Sequence, residues 1–161
     1  MNSVRSHPLR ALAVTDLETY LLGGWQLRRE IIDHHGGDRL HLKGIAEVNR
    51  LPSGVLSYFE QATLETDETS LEFTRAYLFR PTGTAEASVW FDDGSTFFDL
   101  DLRSGRCRVR HHCDQDLYLG LILATNDGWY TRWRCRGPRK NYVATTYLSR
   151  QAATSTAPSF A

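Results

Sequence analysis

From Trp25 onward, apolar and polar residues alternate in short runs, and tight glycine-bearing turns separate the runs. Side chains of an extended strand point alternately to its two faces, so a period of two predicts strands with one buried face. The runs fall near 25–33, 39–49, 54–66, 70–80, 86–92, 95–102, 106–113, 116–125, 128–137 and 139–149, and β-branched and aromatic residues enrich them. They make about eight to ten strands. The turns between them include His35-Gly36-Gly37-Asp38, Asp92-Asp93-Gly94-Ser95, Arg103-Ser104-Gly105 and Asn126-Asp127-Gly128. Such turns join antiparallel neighbours; a parallel pair would need a crossover of about a dozen residues, for which the gaps leave no room.

One helix precedes the strands. Thr15 or Asp16 can cap a short turn running through Glu18 and Tyr20 to Leu22, and Gly23 stops it. Gly24-Trp25 then opens the first strand, and Arg150 closes the last. In a meander that closes on itself those two positions lie side by side, so the Trp25 indole and the Arg150 guanidinium can stack across the seam. A chain of 161 residues suits one core. We therefore expect an N-terminal arm over 1–15, one barrel domain over 16–150 and a disordered tail over 151–161.

Charge and cysteine content narrow the partners. Nineteen Lys and Arg balance nineteen Asp and Glu, which predicts no nucleic-acid and no membrane partner. The first twenty residues have short apolar stretches broken by Pro8, Arg10, Asp16 and Glu18, so neither a signal peptide nor a spanning helix is expected. Cys107, Cys113 and Cys135 are odd in number and lack C-x-x-C spacing, which predicts free thiols and a cytoplasmic location.

The apolar face of each strand should point into the barrel. On those faces stand Trp25, Leu27, Arg29 and Ile31; Leu56, Tyr58, Glu60, Ala62 and Leu64; Leu71, Phe73, Arg75, Tyr77 and Phe79. Small residues in the second strand, Gly44 and Ala46, suit a sharp bend of the sheet. Charged groups among apolar ones must pair, reach water in a cavity or contact a ligand. Arg29, Glu60, Arg75, His111 and Asp116 raise that question, and Glu60 with Arg75 is the internal ion pair expected. Residues 111–120, HHCDQDLYLG, are the densest chemical cluster, with His111 and Cys113 on one face and Asp116 and Tyr118 returning on the partner strand. Readings there include a metal site, a His111 base or His111-activated Cys113, and side chains that position a ligand. No second His or Cys motif completes a zinc set, so no metal and no cofactor are expected. In residues 129–142 Arg132, Arg134 and Arg136 alternate with Trp133 and Cys135, as the solvated outside of a half-buried strand does; Trp133 and Tyr142 could wall the cavity, with Lys140 at its mouth.

The chain resembles a group of small uncharacterised proteins classed as a domain of unknown function with a lipocalin-like, or calycin, fold. The resemblance covers nearly all of 20–150. It rests on GGWQLRREI with Trp25 and Arg29, LKGIAEV with Gly44, LSYFEQ with Tyr58 and Glu60, Tyr77 in RAYLF, FDDGSTFF, HHCDQDLYLG, Trp133 in YTRWRCR, and GPRKNY with the final Arg150. It implies an all-β fold, a lipocalin-like closed antiparallel β-barrel with a short N-terminal helix, and a pocket, but no established reaction. Similar sequences often carry a histidine where Phe98 stands here. The G-x-W-x-G-x-G opening of haem-binding small barrels is not matched, so haem is disfavoured.

Two functions follow as expectations. The first is a small-molecule-binding protein holding a polar-headed apolar ligand inside the barrel, against Arg29, Tyr58, Glu60, Phe73, Arg75, His111, Cys113, Asp116, Tyr118, Trp133 and Tyr142. The second is a metal-free isomerase, cyclase or hydrolase using the same cavity, with His111 or Glu60 as catalytic proton-transfer group and Arg75 stabilising an oxyanion.

Overall fold

A computed structural model of the chain describes residues 9–66 and 69–151; the arm's first eight residues and nearly all of the tail expected to be disordered lie outside the described residues. Helix α1 spans Leu17–Leu21, and Asp16 caps it by accepting the Thr19 N–H at 3.0 Å. Gly23 at φ +112° turns the chain into the first strand, a conformation that side-chain-bearing residues rarely adopt. The strands are β1 (Gly23–Asp33), β2 (Arg39–Arg50), β3 (Leu56–Glu65), β4 (Ser70–Gly83), β5 (Glu86–Phe91), β6 (Thr96–Asp101), β7 (Arg106–Cys113), β8 (Asp116–Ala124), β9 (Gly128–Arg136) and β10 (Asn141–Arg150).

All pairings are antiparallel, in the order β6-β5-β4-β3-β2-β1-β10-β9-β8-β7. The seam expected between first and last strands is a continuous ladder in which Trp25 faces Arg150, with the guanidinium 4.0 Å over the indole. The interruption lies elsewhere. β6 and β7 complete the circle without a ladder, and the Cys107 thiol reaches the Asp99 carbonyl across that break at 3.6 Å. The fold is thus all-β, ten antiparallel strands in a nearly closed barrel.

One end is sealed. The N–H groups of Leu12, Val14 and Leu17 bond to the carbonyls of Ala124, Leu102 and Thr84, at the ends of β8, β6 and β4. Val14, Leu17 and Leu21 are buried there, and the Trp25 indole N–H donates to the Leu21 carbonyl at 2.9 Å. The opposite end, where the β1–β2, β3–β4, β5–β6, β7–β8 and β9–β10 hairpins turn, carries no such cover among the described residues. Along the wall, β2 passes so close to β3 that a Cβ on Gly44 would collide with the Gln61 backbone.

Candidate functional site

Inside the barrel the curvature brings together charges that register alone keeps apart. Glu60 on β3 is the Cα partner of Ala46 on one side and Arg75 on the other. Its two oxygens nevertheless belong to Arg29 of β1, which donates from both terminal nitrogens at 2.7 and 2.9 Å across the inner face of β2. Arg29 Nε donates to Thr146 Oγ1 at 2.7 Å, and the Tyr58 hydroxyl donates to Glu60 at 2.5 Å. Arg29, Glu60 and Thr146 are all buried, so this is a fully satisfied internal network. Burial works to raise the Glu60 pKa, but the hydrogen bonds and charge of Arg29, then Arg75 and Tyr58, outweigh it and leave the carboxyl below its ordinary value. Burial and the adjacent Glu60 push the Tyr58 phenol well above its own.

Arg75 is left over. The expected Glu60–Arg75 pair exists only as a contact of 3.8 Å, because the carboxylate geometry is already taken by Arg29. Two guanidiniums therefore face one carboxylate, and the centre carries an uncompensated positive charge. The Arg75 side chain stays 47% exposed because β5 ends at Phe91, opposite Tyr77, so β4 overhangs its neighbour from residue 76 back toward its start.

Arg75, Tyr77, Phe97 and Trp133 form the common wall between two chambers. The inner one, about 50 Å³, is lined by the Arg29–Glu60–Tyr58 centre and by Phe79, Val89, Phe98, Leu100, Ile122 and Trp129. It has room for a few waters and is smaller than the ~150 Å³ that takes up a benzene ring. The outer one, about 230 Å³, opens at the uncovered end among Phe91, His111, Cys113, Tyr118 and Tyr142. The Trp129 indole N–H, on the inner wall, is buried without a hydrogen-bond partner among the described residues.

Of the residues expected at the site, Arg29, Tyr58, Glu60, Arg75 and Trp133 line the inner chamber. His111, Cys113, Tyr118 and Tyr142 line the outer one. Phe73 lines neither: it sits on the overhanging part of β4, 45% exposed. Asp116 also stands outside both chambers, on the rim, held by Lys140 at 2.8 Å, while Lys140 donates to the Tyr118 hydroxyl at 3.0 Å. Burial, then Cys135 and Tyr118, push the Tyr142 phenol up to about 12. His111 packs edge-on against Phe97, ring centroids 5.1 Å apart. Among the described residues no three His, Cys, Asp or Glu side chains converge as a metal set.

Phe97 escaped the reading of alternation. Val89 pairs with Phe98 and Trp90 with Thr96, so Phe97 is the extra residue of a β-bulge. The bulge lets consecutive phenylalanines both reach the interior, where Phe97 stacks on Trp133 at 5.0 Å and on Phe91 at 4.4 Å. The signal available was the Phe97-Phe98 doublet, which no strict period of two can bury on one face. Gly120 matters for the same wall: a Cβ there would lie 2.6 Å from the Trp133 ring.

The fold and these chambers define a small antiparallel barrel with a charged interior and an aromatic mouth. Residues 21–150 match the Family of unknown function (DUF6314), and the chain belongs to that family. A search of curated proteins found no match. Among solved structures, the chain is similar to a protein of unknown function from the DUF3598 family of Nostoc punctiforme, at 12% identity and a TM-score of 0.43, covering 90% of this chain and 52% of that one. It thus spans about half of that protein's length.

Proposed function

We propose that this barrel is a lipocalin-like binder of small molecules, taking an apolar ligand with an anionic head into its open end. The observation that carries the proposal is Arg75, a guanidinium between the two chambers whose expected carboxylate partner is held by Arg29. An uncompensated cation with aromatic neighbours is a ready seat for a carboxylate. The ligand's body occupies the outer chamber between Phe97, Trp133 and Tyr142, and only a methyl-sized group enters the inner one. His111 and Tyr118 orient the ligand at the rim. Free cysteines suit a reducing compartment, and the proposal places the protein in the cytoplasm.

The catalytic alternative narrows to His111. Glu60 has both oxygens engaged and an acidity that keeps it ionised, which suits a structural anion rather than a group that takes up and returns a proton.

The test is a thermal-shift and calorimetric screen of aromatic and aliphatic monocarboxylates against the full chain, each with its neutral amide. At least one acid should bind, its amide should bind at least tenfold more weakly, and Arg75→Met should lose the same factor, about 1.4 kcal/mol. Acids and amides binding equally well, or Arg75→Met binding unchanged, would overturn the proposal.

A further inference from the structure

The net charge of zero conceals a segregation that only folding creates. With Cys107, Val109 and His111 facing inward, Arg106, Arg108 and Arg110 of β7 project from the outside. With Trp133 and Cys135 inward, Arg132, Arg134 and Arg136 of β9 do the same. Between them runs β8, whose outer face presents Leu117, Leu119 and Leu121. Register sets Arg108, Leu121 and Arg132 side by side, and Arg110, Leu119 and Arg134 likewise. The outer faces of β7, β8 and β9 carry no Asp or Glu, and among the described residues none of the six arginines forms an ion pair. Asp99 and Asp101 lie on β6, across the break, and Asp101 is engaged by Arg103 at 2.7 Å.

The opposite side mixes both signs. In the sheet order β3 is five strands from β8 in either direction, hence diametrically opposite. There the outer faces of β2 and β4, which flank β3, set Arg39, Lys43 and Arg80 beside Glu47 and Glu72. An unbroken set of bases is therefore a feature of the β7–β9 side.

We infer that the β7–β9 face docks on an anionic lipid bilayer. Its guanidinium rows are about 10 Å apart, with about 7 Å between arginines along each strand, and leucines between them. This face is the convex outside of a barrel and suits a plane. Single-stranded nucleic acid calls instead for a groove with stacking aromatics. A second copy presenting the same face would be repelled. Arginine stems lie along the leucines while their heads reach lipid phosphates, and the mixed-charge side turns away from the bilayer. The inference stands independently of any ligand in the barrel.

The experiment is co-sedimentation of the full chain with vesicles of phosphatidylcholine, with and without about one-third phosphatidylserine. It is run at about 50 mM and about 500 mM NaCl, with a single-stranded RNA as competitor. The chain should sediment only with phosphatidylserine vesicles at low salt and be released at high salt. At roughly 1 kcal/mol per arginine, R108Q/R132Q should weaken partitioning about thirtyfold at an unchanged melting temperature. R39Q/K43Q, which removes the same charge from the outer face of β2, should leave partitioning unaltered. Failure to sediment at low salt, equal loss in both double variants, or complete transfer to RNA would overturn the inference, as would self-association in place of vesicle binding.

Discussion

Arg29 of β1 reaches past β2 to hold both carboxylate oxygens of Glu60 on β3, at 2.7 and 2.9 Å, inside the barrel. A buried pair of this kind costs far more to break than to remove. Arg29→Met or Glu60→Leu alone should destabilise by about 3–5 kcal/mol, because each leaves a charge without its partner. The double variant should lose much less than the sum. Urea unfolding of the four proteins measures the coupling; additive losses would show that the pair does not act as a unit.

Acid should erode the same contact. The folded Glu60 pKa lies below its ordinary 4.5, so the unfolded chain binds the proton more readily. The contribution is whole above that ordinary value and is lost as pH falls through the folded one. Melting temperatures of the wild type and Glu60→Gln should converge as pH is lowered through this range. A gap that stays constant with pH would contradict the assignment.

Gly120 holds open the place of the Trp133 ring, which forms part of the wall between the chambers. Gly120→Ala should cost about 1–3 kcal/mol and displace the indole, since its Cβ would overlap a ring packed against Phe97. Thermal melts give the stability, and any carboxylate found to bind should do so more weakly in this variant.

Arg150 joins the barrel seam to the helix. Its guanidinium covers Trp25 and donates to the carbonyls of Leu22 and Tyr20. Arg150→Ala should cost roughly 1–3 kcal/mol through lost cation attraction and charge-assisted hydrogen bonds. Arg39→Ala, an exposed pair on the β1–β2 wall, is the comparison and should fall within about 0.5 kcal/mol of wild type in the same urea titration.

His111→Gln separates orienting a ligand from moving its proton. The amide keeps a donor and an acceptor, so affinity for a bound acid should stay within about tenfold. Turnover of such a ligand that falls about a hundredfold in the variant, with binding intact, would instead mark His111 as a catalytic group.

The alternation of residues and the short turns determined about eight to ten strands, their antiparallel order and most of the inward side chains, because these depend only on neighbours along the chain or on the next strand. Trp25 and Arg150 were legible for the same reason: the ends of a meander must meet once it closes. Curvature decided the remainder. Strand adjacency pairs Glu60 with Arg75, and it does so in the register, but across the barrel interior Arg29 reaches over β2 to claim the carboxylate and leaves Arg75 open. The bulge at Phe97 and the overhang of β4 at Phe73 likewise depend on where the partner strand shifts or ends, which periodicity does not encode. Net charge is a sum over the chain, whereas a field is a sum over space; only the folded barrel sets six arginines together on one outer face.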